Sequence, residues 1–137
     1  MAVTVWGIGT TRTFRVHHAL HECGIDYVTE PVRTRTSDME RPEFRAVAVS
    51  GKVPSFQDDD FVLTESAAIT RYLMTRGHPP RPVREQAFVD QWCHFMMMEL
   101  DATSLYVVRR HEGLPEIYGA SDAAVRAAKD YFRRQLS

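Results

Sequence analysis

Gly51-Lys52-Val53-Pro54-Ser55-Phe56, followed by Phe61-Val62-Leu63-Thr64-Glu65-Ser66-Ala67-Ala68-Ile69-Thr70-Arg71-Tyr72-Leu73, is the stretch that decides the fold. It reads as a short strand entered through a Val-Pro bond, a tight acidic turn, a second strand and a helix. Val53 and Phe56 make the first strand apolar, and Asp58-Asp59-Asp60 marks the turn. Phe61-Val62-Leu63 has the β-branched and aromatic content of the returning strand. Thr64-Glu65-Ser66 supplies capping chemistry, and Ala67, Ala68, Ile69, Tyr72 and Leu73 follow a helical period. A hydroxyl beside the free N–H groups of a helix start makes a site for a small carboxylate.

Upstream, Ala2 to Gly7 predicts an opening strand, with Val3 and Val5 alternating against Thr4. Gly7-Ile8-Gly9-Thr10-Thr11 is a turn, after which a helix beginning near Thr11 or Arg12 is sustained by Phe14, Val16, His17, Ala19 and Leu20. Gly24 is placed to end it. Tyr27 to Val32 predicts a second strand that fades at Pro31, and Asp38 is the expected cap of a short helix running to about Ala46. The order strand, helix, strand, helix, strand, strand, helix combines a parallel βαβ unit with an antiparallel hairpin. It therefore predicts a mixed sheet with helices on both faces.

Downstream, Gly77-His78-Pro79-Pro80-Arg81-Pro82 is the clearest boundary, because its prolines cannot continue a helix and favour an extended linker. Beyond it, Glu85 to His111 predicts one long helix, with Phe88, Val89, Trp92, Phe95, Met96 and Leu100 as an apolar stripe. Gly113-Leu114-Pro115 stops it. Ser121 or Asp122 is placed to cap a last helix in which Val125, Ala128 and Phe132 face one way. The expected division is a domain over 1–77, a linker over 78–84 and an all-helical part over 85–137.

Composition narrows the function classes. An apolar fraction of 44%, a charged fraction of 26% and a formal net charge of −1 describe a soluble globular chain. They give no electrostatic reason to expect nucleic acid or an anionic membrane as partner. No apolar run is long enough to span a bilayer, and nothing at the N-terminus marks the chain for export. Cys23 and Cys93 form no Cys-x-x-Cys pair, so the expectation is two buried free thiols in a reducing, cytoplasmic compartment.

The central stretch resembles the glutathione-binding half of the glutathione transferase family. Lys52-Val53-Pro54, the hairpin, Leu63-Thr64-Glu65-Ser66-Ala67-Ala68-Ile69 and Arg71-Tyr72-Leu73 fall in the family's order and spacing. The resemblance implies an α/β thioredoxin-like N-terminal domain, βαβαββα, followed by an all-α C-terminal domain. That second domain is expected to be partial here, since the family's helical bundle is usually longer. It also implies a cis Val53-Pro54 bond, with the Val53 backbone pairing with the cysteinyl part of glutathione as an added strand. Ser66 would hold the γ-glutamyl carboxylate, Glu65 would accept from its amine, and Lys52 would pair with the glycine carboxylate. A solvated lysine at a strand entrance is the alternative for Lys52, and plain capping accompanies Glu65 and Ser66.

Activation of the thiol is expected from a hydroxyl at the start of the first helix. Alignment of Thr13-Phe14-Arg15-Val16 with the family's first helix puts Thr11 on the serine position, with Thr10 one residue away and Arg12 where one class has cysteine. The alternative is that both threonines merely cap the helix. No tyrosine lies in this region, and no cysteine, which excludes a glutaredoxin-type thiol-disulfide enzyme. The resemblance further suggests Met97, Asp101 and Tyr106 as lining for an electrophile pocket. It implies a homodimer through Arg71, Phe88, Trp92 and Phe95, and glutathione as co-substrate with a small hydrophobic electrophile.

Three other signals have plainer readings. Gly7-x-Gly9 lacks the third glycine of a dinucleotide fingerprint, with Arg12 in its place. His17 and His21 lack a third metal ligand at a telling spacing and read as surface and packing residues, so no metal is expected. Met96-Met97-Met98 reads as core and interface. Two functions stay open: a transferase that adds glutathione thiolate to an electrophile, and a non-catalytic module of the same fold used for binding or interaction.

Overall fold

The computed structural model describes residues 3–76 and 78–137, so Ala2 of the expected first strand and Gly77 of the expected boundary lie outside the described residues. The chain divides into two compact units, one reaching to Pro80 and the other spanning Arg81–Ser137.

The first unit is a four-stranded sheet in the order β2-β1-β3-β4. Strand β1 (Val3–Trp6) runs parallel to β2 (Tyr27–Glu30), with Val3 opposite Tyr27 and Trp6 opposite Glu30. Strand β3 (Ser55–Asp58) is antiparallel to both β1 and β4 (Phe61–Thr64). Helix α1 (Thr11–Glu22) joins β1 to β2, α2 (Pro42–Val47) precedes β3, and α3 (Ser66–Thr75) follows β4. This is the thioredoxin-like arrangement.

Alternation along β1 feeds two cores. Val3 and Val5 join Val16, Ala19 and Leu20 of α1, Phe56 of β3, and Ile69 and Leu73 of α3 on one face. Trp6 turns to the other face and meets Val32, Phe44, Val47 and Ala48 around α2. Phe44 and Phe56 are each 0% exposed and are the largest fully buried side chains among the described residues.

Both ends of α1 are locked by local chemistry. Thr10 accepts from the Thr13 N–H at 3.0 Å while Thr13 Oγ1 accepts from the Thr10 N–H at 3.0 Å, a reciprocal cap. At the other end Gly24 sits at φ +61°, and the N–H groups of Gly24 and Ile25 reach the carbonyls of His21 and Leu20. Those two bonds form a Schellman turn in which Cys23 is the C-cap and Gly24 follows it, so Gly24 ends the helix from one residue beyond the cap. His17 is held between the Tyr27 hydroxyl and the Gly7 carbonyl, each at 3.0 Å, in keeping with a packing role.

The expected helix from Asp38 to Ala46 is two pieces. Thr36, not Asp38, caps a 3₁₀ turn over Ser37–Glu40, and Pro42 then opens α2 as a separate helix. The Asp38 carboxylate instead accepts from the Arg33 N–H at 3.1 Å, a bond that lowers its pKa and competes with capping. The acidic turn is also shorter than expected, since Asp58 ends β3 as a paired residue. There it accepts from Tyr72 at 3.1 Å and pairs with Arg76 at 3.0 Å, tying the hairpin to the end of α3.

The second unit winds from Val83 to Gly113, but not as one α-helix. After α4 (Val83–Phe95) comes a π-helical segment (Met96–Leu105), then α5 (Tyr106–Val108), a second π segment (Arg109–Gly113) and α6 (Pro115–Tyr118). Thr103 and Ser104 hydroxyls donate to the carbonyls of Met98 and Glu99, five residues back, which supports the wider turn. Helix α7 (Asp122–Leu136) is capped by Ser121 and packs on the π segment through buried Val125 and Ala128, with the Tyr131 hydroxyl donating to Glu99.

One expectation about burial fails. Cys23 is exposed and Cys93 half-buried, because Cys23 is the C-cap of α1 and lies at the rim rather than in a core. Phe88 and Trp92 of α4 and Met96 of the π segment, all in the predicted apolar stripe, are 64%, 56% and 48% exposed.

Candidate functional site

Loop, strand end and helix start converge on one recess. It is lined by Arg12 from α1, by Ser50, Lys52, Val53 and Pro54 from the loop before β3, and by Thr64, Glu65 and Ser66 at the β4–α3 junction. The five residues expected to bind glutathione are thus brought together.

The loop wall depends on a glycine. Gly7 has φ +121°, and a Cβ on it would fall 2.5 Å from the Val53 Cβ. Only a residue without a side chain lets the end of β1 pass this close to Val53. The Val53-Pro54 bond is cis. Among the described residues, the Val53 N–H and C=O make no hydrogen bond to other backbone groups, so the wall keeps these groups open just before β3.

The helix wall corrects the expectation about capping. Glu65 occupies the N-cap position at φ +67° and makes no side-chain cap bond, and the first acidic residue within the turn is absent. A non-glycine residue in this conformation is uncommon. It leaves the Glu65 carboxylate exposed at the recess instead of turned onto its own helix. The first N–H groups of α3 are therefore uncapped donors, and Ser66 is buried among them at 4% exposure. The Ser66 hydroxyl oxygen accepts from Arg15 Nη1 at 3.3 Å.

The thiol-activating candidates stand differently. Thr10 is occupied by its reciprocal bonds with Thr13, and Thr11 is an exposed residue at the first position of α1. Neither belongs to the recess lining, whereas Arg12 does. Met97, Asp101 and Tyr106 are half-buried in the second unit, with Arg110 stacked 4.5 Å over the Tyr106 ring.

Two functional candidates were not assigned from the sequence: Arg12 as lining and Arg15 as partner of Ser66. Their spacing of one helical turn was visible, since residues three apart share a face. Which face meets α3 is decided by packing, and that signal is not local.

Taken together, the cis Val53-Pro54 bond and the uncapped start of α3 share one recess on a thioredoxin-like sheet. The comparisons agree with this and narrow it. Residues 12–76 match the family model described as glutathione S-transferase, N-terminal domain. A maize (Zea mays) protein named glutathione S-transferase 4 is 35% identical over 95 residues, which is 66% of this chain and 42% of that relative. Among solved structures, the theta class glutathione S-transferase of Xanthomonas axonopodis pv. citri with glutathione bound is 26% identical with a TM-score of 0.82. That match covers 98% of this chain and 67% of the other. Glutathione S-transferase I from maize, in complex with an atrazine glutathione conjugate, is also 26% identical, with a TM-score of 0.80 over 99% of this chain and 67% of that one. Residues 12–76 thus match a glutathione S-transferase N-terminal domain, and the aligned part spans less than half the length of the maize relative.

Proposed function

We propose that the recess binds glutathione and that the protein transfers it, as thiolate, to a small hydrophobic electrophile. The observation that carries this reading is the charge pattern of the lining. Two cations, Arg12 and Lys52, and one carboxylate, Glu65, surround the buried Ser66 hydroxyl and the uncapped start of α3. Glutathione carries the complement, two carboxylates and one ammonium.

In this reading Ser66 and the α3 N–H groups take the γ-glutamyl carboxylate, Glu65 takes the ammonium, and Lys52 takes the glycine carboxylate. The open Val53 backbone pairs with the cysteinyl segment as an added strand. Pro54 holds that edge in place. The N-terminus of α1 has no acidic residue in its first turn, so its dipole favours a thiolate placed before it. Thr11 supplies the hydrogen bond to sulfur, and Thr10 keeps the helix start rigid. Conjugation then needs proximity and a stabilised thiolate, with no covalent enzyme intermediate.

Met97, Asp101 and Tyr106 belong to the electrophile side in this account, and exposed Phe88 and Trp92 with half-buried Phe95 and with Arg71 form a homodimer seam. A reducing cytoplasm suits two free cysteines and a thiol substrate. Among the described residues no helix is long and apolar enough to cross a membrane.

The absence of Thr10 and Thr11 from the recess lining favours a second reading, a glutathione-binding module without turnover. Conjugation of glutathione to a chromogenic aryl halide, compared with its Thr11→Ala variant, decides between them. The transferase reading expects turnover that falls at least about tenfold in the variant, the scale of a hydrogen bond to a charged group. Binding without turnover selects the module, and turnover indifferent to the substitution removes Thr11 from the mechanism.

A further inference from the structure

Arg15 lies one helical turn beyond Arg12 on α1 and reaches across to the start of α3, where its Nη1 donates to Ser66 Oγ at 3.3 Å. A guanidinium can only donate, so Ser66 is the acceptor in this pair. A serine hydroxyl has one proton and two acceptor lone pairs. With a lone pair engaged from the α1 side, the O–H is left to donate on its other side, where Ser66 lines the recess. Ser66 as a residue is 4% exposed, so this neighbour weighs heavily on how its hydroxyl is oriented.

We propose that Arg15 is a positioning residue that turns the Ser66 hydroxyl into a fixed donor for a ligand carboxylate. This rests on the reading of the recess as a glutathione site and assigns Arg15 to its γ-glutamyl end. The guanidinium acts through Ser66, by fixing which way its hydroxyl proton points.

A double-mutant cycle tests it, read by calorimetric titration of the full chain with glutathione. Arg15→Met is expected to weaken binding about tenfold, the scale of a lost charge-assisted hydrogen bond. In the Ser66→Ala background the same change is expected to do nothing further. Arg15→Lys keeps the charge and should recover part of the loss. The analogue of glutathione whose γ-glutamyl α-carboxylate is amidated should bind wild type and Arg15→Met equally. This ligand comparison and the lysine variant keep the test intact if Arg15→Met folds poorly. Losses that multiply in the double variant, or that persist with the amidated ligand, would overturn the proposal and leave the site standing. Failure of the folded wild-type chain to bind glutathione at all would overturn both.

Discussion

The two units solve the same packing problem with opposite results. In the first, a sheet with helices on both faces encloses Phe44 and Phe56 completely and gives β1 two cores to serve. In the second, only Val125, Ala128 and Ser104 are buried among the described residues, and Phe88, Trp92 and Met96 present apolar surface to water. A sheet side chain is covered by a layer, whereas a helix stripe needs a facing helix of matching length. The proposed site sits where packing is dense, on elements whose positions the cores hold.

Substitutions can break or sharpen that contrast. Phe56→Ala opens a cavity in the larger core and is expected to cost about 3–5 kcal/mol, measured by denaturant unfolding followed in the first unit. A loss below about 1 kcal/mol would mean the core is not the rigid layer described here.

Gly7→Ala meets Val53 at 2.5 Å and adds a side chain at φ +121°. The expected cost is about 1–3 kcal/mol, accompanied by weaker glutathione binding because Val53 is displaced. Unchanged binding in a destabilised variant would separate the loop wall from the site.

The Tyr72–Asp58–Arg76 cluster gives a smaller, pH-dependent effect. Burial, and then donation to Asp58, raises the Tyr72 pKa above 10.0. A raised folded-state value means stabilisation that is complete below the unfolded pKa and disappears as pH rises through the folded one. Unfolding free energy should therefore decline above about pH 10, and Tyr72→Phe should flatten that part of the decline while costing about 1 kcal/mol at neutral pH. An identical alkaline profile in the variant would assign the decline elsewhere.

Smallest in single-chain stability is Trp92→Ser, expected within about 0.5 kcal/mol of wild type because the side chain is exposed. Light scattering should nevertheless shift towards monomer. A dimer of unchanged strength would remove Trp92 from the proposed seam.

Much of the first unit was legible because its signals are local. Val-Pro, the acidic turn, Phe61-Val62-Leu63 and Gly24 each announce a strand, reversal or helix end by side-chain chemistry alone. What escaped depended on competition or distance. Asp38 is a good cap in isolation, but the Arg33 N–H claims its carboxylate, and Thr36 takes the cap. Glu65 reads as a capping residue, yet its backbone at φ +67° turns the side chain away from that task. The π segment follows no apolar period that differs from an α-helix, and its clue was the adjacent hydroxyls Thr103 and Ser104. For the site, Lys52, Val53, Pro54, Glu65 and Ser66 were readable from their own motif and share one recess. Arg12 and Arg15 were not, because their role is set by which face of α1 meets α3.

Titration of glutathione into the purified chain and its Ser66→Ala variant tests the central claim most directly. The account predicts saturable binding to wild type, weakened about tenfold or more in a variant of nearly unchanged stability. A folded wild-type chain that takes up no glutathione, or a Ser66→Ala variant that binds it equally well, would contradict the assignment of this recess.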